Sequence, residues 1–418
     1  MALSTLVGQT GSGLLLPVSA LFFTRSVGLP VAQVGTGLAV AGLVGLMAAV
    51  PLGRLADRLG ARGVYAAMLL GQAVATACCV LVHSLVAFVF ISVVRVVAER
   101  GGGAARGALI ATVGTGEGRV RLRALLKSVT NAGLSVGTAL AGLALSVDTR
   151  GAYVAVILLN AAAYVLAALP LARVPAVPAT RSDRSAPARH TVLRDRPYAV
   201  VTFLAGFTSI HYDVLSFLLP LWIAGHTAAP RWTISAVIVT NTVLVVFLQV
   251  PFSKGTGAAP DAAAVVRRSG IVLLVAWLFF ALAGPMKDPW LSIALLFGGM
   301  ILHTAGELWH SAGSYGLSYE LAPEGSHGEY QGFFSLGRGT AAALAPAVLT
   351  AACLAGGPAW RATGGWLVLG IAVAAGAAAM PVSVQWALRA GRRAAPALAP
   401  GPDPQTGTAS ASTIKESA

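Results

Sequence analysis

The sequence predicts an all-α integral membrane protein, with twelve transmembrane helices in two pseudo-symmetric bundles of six. Three observations carry that prediction. Hydrophobic residues make up 56% of the 418-residue chain and only 11% are charged, with a mean hydropathy of +0.77, well above the apolar share of a soluble domain. Apolar runs long enough to cross a bilayer as helices recur along most of the length. A single polar gap near the middle divides these runs six and six.

The runs lie at roughly 3–24, 33–53, 63–82, 84–113, 124–147 and 150–172, then at 198–224, 233–253, 269–286, 290–320, 328–355 and 362–388. The first run lacks a basic flank and leads straight into a second, so it does not read as a cleavable signal peptide. Its start at the third residue points to a start codon upstream of Met1. Residues 173–197, "RVPAVPATRSDRSAPARHTVLRDRP", are rich in Pro, Ser and Arg. They are expected to form a flexible cytoplasmic linker between the bundles 1–172 and 198–389. Residues 390–418 read as a disordered cytoplasmic tail.

The net charge of +14 raises the question of nucleic acid, and its distribution excludes it: the basic residues sit between apolar runs, with no basic stripe carrying interleaved aromatics. With both termini on one side, that side collects twenty-one of the 29 lysines and arginines, Arg106, Arg119, Arg121, Arg123 and Lys127 among them. The opposite side has five and the remaining three fall within runs. The positive-inside rule then places both termini in the cytoplasm of a cell inner membrane. Cys78, Cys79 and Cys353 lie within apolar runs without metal-ligand spacing and read as packing residues. The halves echo each other at an offset of 200, where Val50-Pro51 meets Val250-Pro251 and Arg54 meets Lys254. Parallel repeats of this kind place a substrate site between the bundles.

The stretch "GRLADRLGAR", Gly53 to Arg62, concentrates charge in a chain that avoids it. Its glycines allow close helix approach, Asp57 can satisfy the free amides of a helix start, and Arg58 and Arg62 can bind carboxylates, carbonyls or lipid phosphate. The pattern at Gly53, Leu55, Ala56, Asp57, Arg58, Gly60 and Arg62 resembles the helix 2–3 signature of the major facilitator superfamily, and the likeness extends over the whole chain. The resemblance implies that Gly53, Asp57, Arg58, Gly60 and Arg62 form a conformational latch between the bundles, favouring the outward-facing state.

Charge within a span is costly and marks a cavity or a partner. Arg95 and Glu99 in the fourth run are four residues apart, on one helix face, and Arg95 resembles the arginine that the superfamily links to proton transfer. A purely structural pair is the other reading. The seventh run places His211, Tyr212 and Asp213 near mid-membrane. In the tenth, His303, Glu307 and His310 fall at spacings of four and three, one face of a helix. A carboxylate beside histidines in a low dielectric is a candidate proton carrier or substrate contact, or else part of a satisfied polar network. The His-x-x-x-Glu spacing carries no zinc-protease signature, and no metal is expected. Arg338 in the eleventh run is a further buried charge, expected to meet a carboxylate across the interface.

Gly133, Gly137 and Gly142 match the glycine spacing of the signature of drug–proton antiporters, with Thr138 where a proline is expected and Ala141 at one later glycine position. Small residues so spaced also serve helix packing alone. The expectation is a secondary active transporter of the twelve-helix drug–proton antiporter type. It would export an amphipathic small organic molecule as a monomer, with no cofactor beyond the proton gradient. Proton-coupled import of a metabolite is the alternative. An intramembrane enzyme would show a nucleophile and base, or metal ligands, and a sensor would show a signalling domain; the sequence has neither, nor a phosphate-binding loop for ATP.

Overall fold

The structure, a computed structural model, describes residues 1–147, 149–174, 192–354 and 359–394. Residues 175–191 of the expected linker and 395–418 of the expected tail lie outside the described residues. Twelve helical passes account for nearly all the rest. They are α1 (Ala2–Leu21), α2 (Val31–Leu59), α3 (Ala61–Cys78), α4 (Leu85–Val113), α5 (Gly116–Val147) and α6 (Arg150–Ala168), then α7 (Arg196–His226), α8 (Trp232–Phe252), α9 (Ala259–Ala283), α10 (Pro289–Glu320), α11 (His327–Leu349) and α12 (Ala359–Ala394). Among the described residues, nine helices are long and apolar enough to cross a membrane. The three passes outside that set are α1, α4 and α5, although the sequence reads all three as apolar runs.

Local chemistry sets the ends. Ser84 caps α4 by accepting from Ala87 N at 3.3 Å, Thr149 caps α6, Asp195 caps α7 and Asp288 caps α10; each hydroxyl or carboxylate satisfies an amide that the helix leaves free. α7 is not straight. It breaks after Thr208, where Ser209 Oγ donates to Gly206 O at 2.6 Å and Thr208 Oγ1 to Leu204 O at 2.9 Å, hydroxyl contacts of the kind that bend helices. A π-helical turn follows at Val214–Leu218. Pro220 sits just beyond it, with no N–H to donate to the carbonyl four residues back, so the ladder widens there. The break and the wide turn flank His211, Tyr212 and Asp213.

Four boundaries depart from the sequence reading. α2 runs on to Leu59, so most of Gly53–Arg62 is helix rather than turn. α5 begins at Gly116, eight residues before the expected 124, and lifts Arg119, Arg121 and Arg123 into the helix. α9 starts at Ala259 rather than near 269. α12 reaches Ala394, so the first residues of the expected tail are helical, and Val192–Arg194 forms a 3-10 turn in the expected linker with Val192 fully buried. In each case polar or charged residues extend a helix beyond its apolar stretch, which hydropathy alone cannot see.

α1 packs on α5 and α6, and α4 on α2 and α3. α9 packs on α10 and α12, and α7 on α11 and α12. Trp222, Trp277, Phe280 and Trp366 fill the largest apolar core, among α7, α9 and α12. Contacts between early and late helices are made by α2 and α4 with α11, and by α5 with α8 and α10. Met1 packs beside Ala56 and Val64, so the chain start lies on the side of the Gly60 turn; this is called the terminal side below.

Candidate functional site

The last turn of α2 meets the first turn of α11. Asp57 Oδ1 accepts from Gly328 N at 2.7 Å and Oδ2 from Glu329 N at 2.9 Å. These amides have no intrahelical partner and sit at the positive end of the helix dipole, where a carboxylate is favoured. One turn earlier, Arg54 donates to Glu329 Oε1 at 2.8 Å, and the same oxygen accepts from Val192 N at 2.9 Å. The backbones are so close that a Cβ on Gly53 would fall onto the Gly328 carbonyl. Gly60, with φ +95°, stops α2 in a conformation that favours glycine.

Of the five expected latch residues, then, Gly53 and Asp57 touch α11 and Gly60 shapes the turn. Arg62 points elsewhere, donating to Val174 O at 2.8 Å beyond the end of α6. Arg58 is exposed and has no hydrogen bond or ion pair among the described residues. Sequence reasoning missed Arg54 and Glu329 as a pair. Arg54 stood inside the quoted stretch, but Glu329 becomes its partner only once α11 is known to lie on α2.

The seventh and tenth passes bring three histidines together. The His211 ring lies 4.8 Å from that of His310 and 5.7 Å from that of His303, centroid to centroid. His303 Nδ1 accepts from Trp277 Nε1 at 3.2 Å, and His310 Nε2 is 2.9 Å from Thr208 Oγ1. Neither ring nitrogen of His211 has a hydrogen-bond partner. Glu307 does not join this cluster by an ion pair. Its Oε2 accepts from Asn241 Nδ2 of α8 at 2.9 Å, so the residues read as one face address separate neighbours. Among the described residues no group of three or more His, Cys, Asp or Glu is placed to hold a metal ion.

Asp213 is gripped by Arg338 through two bonds, Nη1 to Oδ2 at 2.6 Å and Nη2 to Oδ1 at 3.2 Å. The expected carboxylate partner of Arg338 therefore lies on α7, which packs directly against α11, and not across the α2–α11 contact. Arg95 and Glu99 face each other at 3.9 Å. Gly133 and Gly137 receive α1: a Cβ on Gly133 would meet Leu6 O at 3.0 Å and one on Gly137 would collide with Thr10 O. A Cβ on Gly142 would meet nothing within 4 Å among the described residues.

A polar cavity of about 290 Å³ opens among α1, α3, α4, α5 and α11 on the terminal side, lined in part by Gln9, Gln72, Glu99, Arg100, Arg106 and Arg123. Arg123 and Lys127, read from the sequence as loop charges that set orientation, stand one helical turn apart on α5. Arg123 Nη1 is 3.4 Å from Tyr319 Oη, and its guanidinium lies 5.0 Å from the Tyr315 ring centroid. Lys127 Nζ lies 5.1 Å from that of Tyr212, and Arg338 5.2 Å from the same ring.

The sequence matches the Major Facilitator Superfamily over residues 1–346. The chain belongs to this family. It is a multi-pass membrane protein with the major facilitator fold, and its class is secondary transport. No curated protein matches it in sequence. Among solved structures, the human organic anion transporter MFSD10 (TETRAN) is 18% identical with a TM-score of 0.65, covering 90% of this chain and 97% of that one. An outward-facing bacterial homologue of the iron transporter ferroportin is 14% identical with a TM-score of 0.68, covering 93% and 98%. The proton:xylose symporter XylE is 12% identical with a TM-score of 0.68, covering 91% and 93%. At these identities the likeness shows the shared fold.

Proposed function

We propose that this major facilitator is a proton-coupled exporter of an amphipathic small organic molecule. It works as a single chain in the plasma membrane, with both termini cytoplasmic. The fold itself serves carriers with different cargo, so function rests on the residues. The observation that carries the reading is Glu307: a carboxylate 3% exposed, set in the apolar tenth pass, whose hydrogen bond comes from the neutral amide of Asn241. No cation among the described residues lies within ion-pair distance of it. A lone carboxylate held by neutral groups at such depth is suited to take up and release a proton as the site opens to one side or the other.

The α2–α11 contact supports alternating access. Asp57 joins two helices whose start and end must separate if 1–172 rocks against 198–389, so it acts as a latch that closes the cytoplasmic side. The glycines at 133 and 137, which seat α1 on α5, support the antiporter over the symporter. The test uses everted vesicles with a pH-sensitive dye: adding substrate should collapse the proton gradient in wild type and not in Glu307→Gln. Collapse that persists undiminished in Glu307→Gln removes Glu307 as the proton carrier, and accumulation of substrate in right-side-out vesicles would establish import instead.

A further inference from the structure

Resting on that reading, we propose that the terminal-side cavity binds the anionic head of an organic acid, a carboxylate, sulfonate or phosphate monoester on an aromatic or apolar body. The first ground is charge. Three guanidiniums, Arg100, Arg106 and Arg123, line the cavity against a single carboxylate, Glu99. Glu99 is itself 3.9 Å from Arg95. Among the described residues no carboxylate lies within ion-pair distance of Arg100, Arg106, Arg123 or Lys127, and Arg100 Nε is buried with no hydrogen-bond partner at all. Cations set between membrane-spanning helices are ordinarily paired; these half-buried ones have no counter-charge within ion-pair distance among the described residues, and a ligand would supply it.

The second ground is how the cations are held. Arg123 rests on the Tyr315 face and Lys127 on that of Tyr212. A ring quadrupole orients a cation without neutralising it, so the donors stay available for bidentate recognition of an oxyanion. The third ground is a difference within α5 that orientation alone does not explain. Arg119 donates to Gly114 O at the helix start and Arg121 is exposed, as topology residues should be, whereas Arg123 and Lys127 of the same helix turn inward toward α10 and α7.

The test is calorimetric titration of the full chain in phosphatidylcholine nanodiscs. The probes are 1-naphthylacetate, 1-naphthalenesulfonate and 1-naphthyl phosphate, set against 1-naphthylacetamide and 1-naphthylmethylammonium. At least one acid should bind about tenfold or more tightly than both the amide and the ammonium, the effect expected of one charge-assisted bond. Arg123→Ala should lose that margin, Arg123→Lys should keep part of it, and Arg121→Ala should keep it all. If Arg123→Ala fails to fold, Arg106→Gln serves in its place with the same loss expected. The proposal is overturned if no acid binds better than the amide and ammonium. It is likewise overturned if the cavity variants bind as wild type does, or if phosphatidylglycerol co-purifies in an Arg123-dependent way while all three acids fail. Binding needs no proton gradient, so an acid that binds selectively but leaves the vesicle dye unmoved supports the site and refutes the coupling; a gradient collapsed only by cations does the reverse.

Discussion

Two of the contacts that tie early helices to late ones place a carboxylate against backbone amides, and they are built in opposite senses. At the first, the carboxylate belongs to the end of a helix: Asp57 of α2 takes the two leading amides of α11. At the second it belongs to the start of one. Glu117 Oε1, in the first turn of α5, accepts from Gly255 N of the α8–α9 loop at 3.0 Å, and a Cβ on Gly257 would stand 2.7 Å from the Glu117 amide. The offset of 200 residues sets the end of α2, at Arg54, on the end of α8, at Lys254. What differs is the surroundings. Glu329 beside Asp57 is nearly buried and paired with Arg54, while Glu117 and Lys254 are exposed, and Lys254 has no ion pair among the described residues. The repeat has kept the backbone approach twice and the buried charge network once, so the α2–α11 contact should dominate the conformational equilibrium.

The hardest way to break that contact is steric. Gly53→Leu puts a side chain where the Gly328 carbonyl lies, and relief requires the two backbones to part. Overpacking of this kind costs about 1–3 kcal/mol even where neighbours are side chains that can shift; against backbone the closed arrangement should be lost. Spin labels at the exposed positions Arg58 and Glu324 report it: double electron–electron resonance should show the short distance of wild type replaced by a longer one, with transport abolished. A retained short distance would mean the seam has more slack than its geometry allows.

Asp57→Asn comes next. The amide keeps one acceptor oxygen of the two, so one hydrogen bond to a charged group is lost, worth about 1.5–3 kcal/mol, with up to about 1 kcal/mol from the helix dipole. The closed population should fall by roughly tenfold or more, seen as a mixture of short and long distances with the same labels. Transport should slow while the thermal midpoint changes little. An unchanged distribution would show that Gly53 and the Arg54–Glu329 pair close the side without Asp57.

How much of this was legible in the sequence follows from what hydropathy measures. The twelve passes, the close packing allowed at Gly133 and Gly137, and Asp57 as a helix-start partner were readable, because apolar runs, small-residue spacing and capping chemistry are local. Arg123 and Lys127 were not. Arg123 stands in a polar stretch that looks like a loop, and only the extension of α5 back to Gly116 makes it helical; Lys127 stands at the start of the fifth run, where a charge looks like an orientation signal. Glu307 was found, but its partner Asn241 was not, since one asparagine in an apolar run gives no sign of which helix it will face. The three histidines were found as two groups, on α7 and α10; the break at Ser209 brings them together. Pairings between distant helices are a property of packing, and the sequence holds them only as residues that must find a partner somewhere.

The smallest effect should come from the second contact, and it sharpens the comparison most. Glu117→Gln leaves an acceptor in place and removes a charge that is exposed and screened, so its interaction with the Gly255 amide should weaken by about twofold or less. Labels at Arg121 and Lys254, both exposed, should show nearly the wild-type distance, and raising the salt should erase what difference there is. The Asp57 contact, shielded by Arg54 and the α11 backbone, should hardly respond to salt. If Glu117→Gln instead opens the terminal side as far as Asp57→Asn does, then the two contacts share the load equally. Burial of the Arg54–Glu329 pair would then have nothing to do with which of them governs closure.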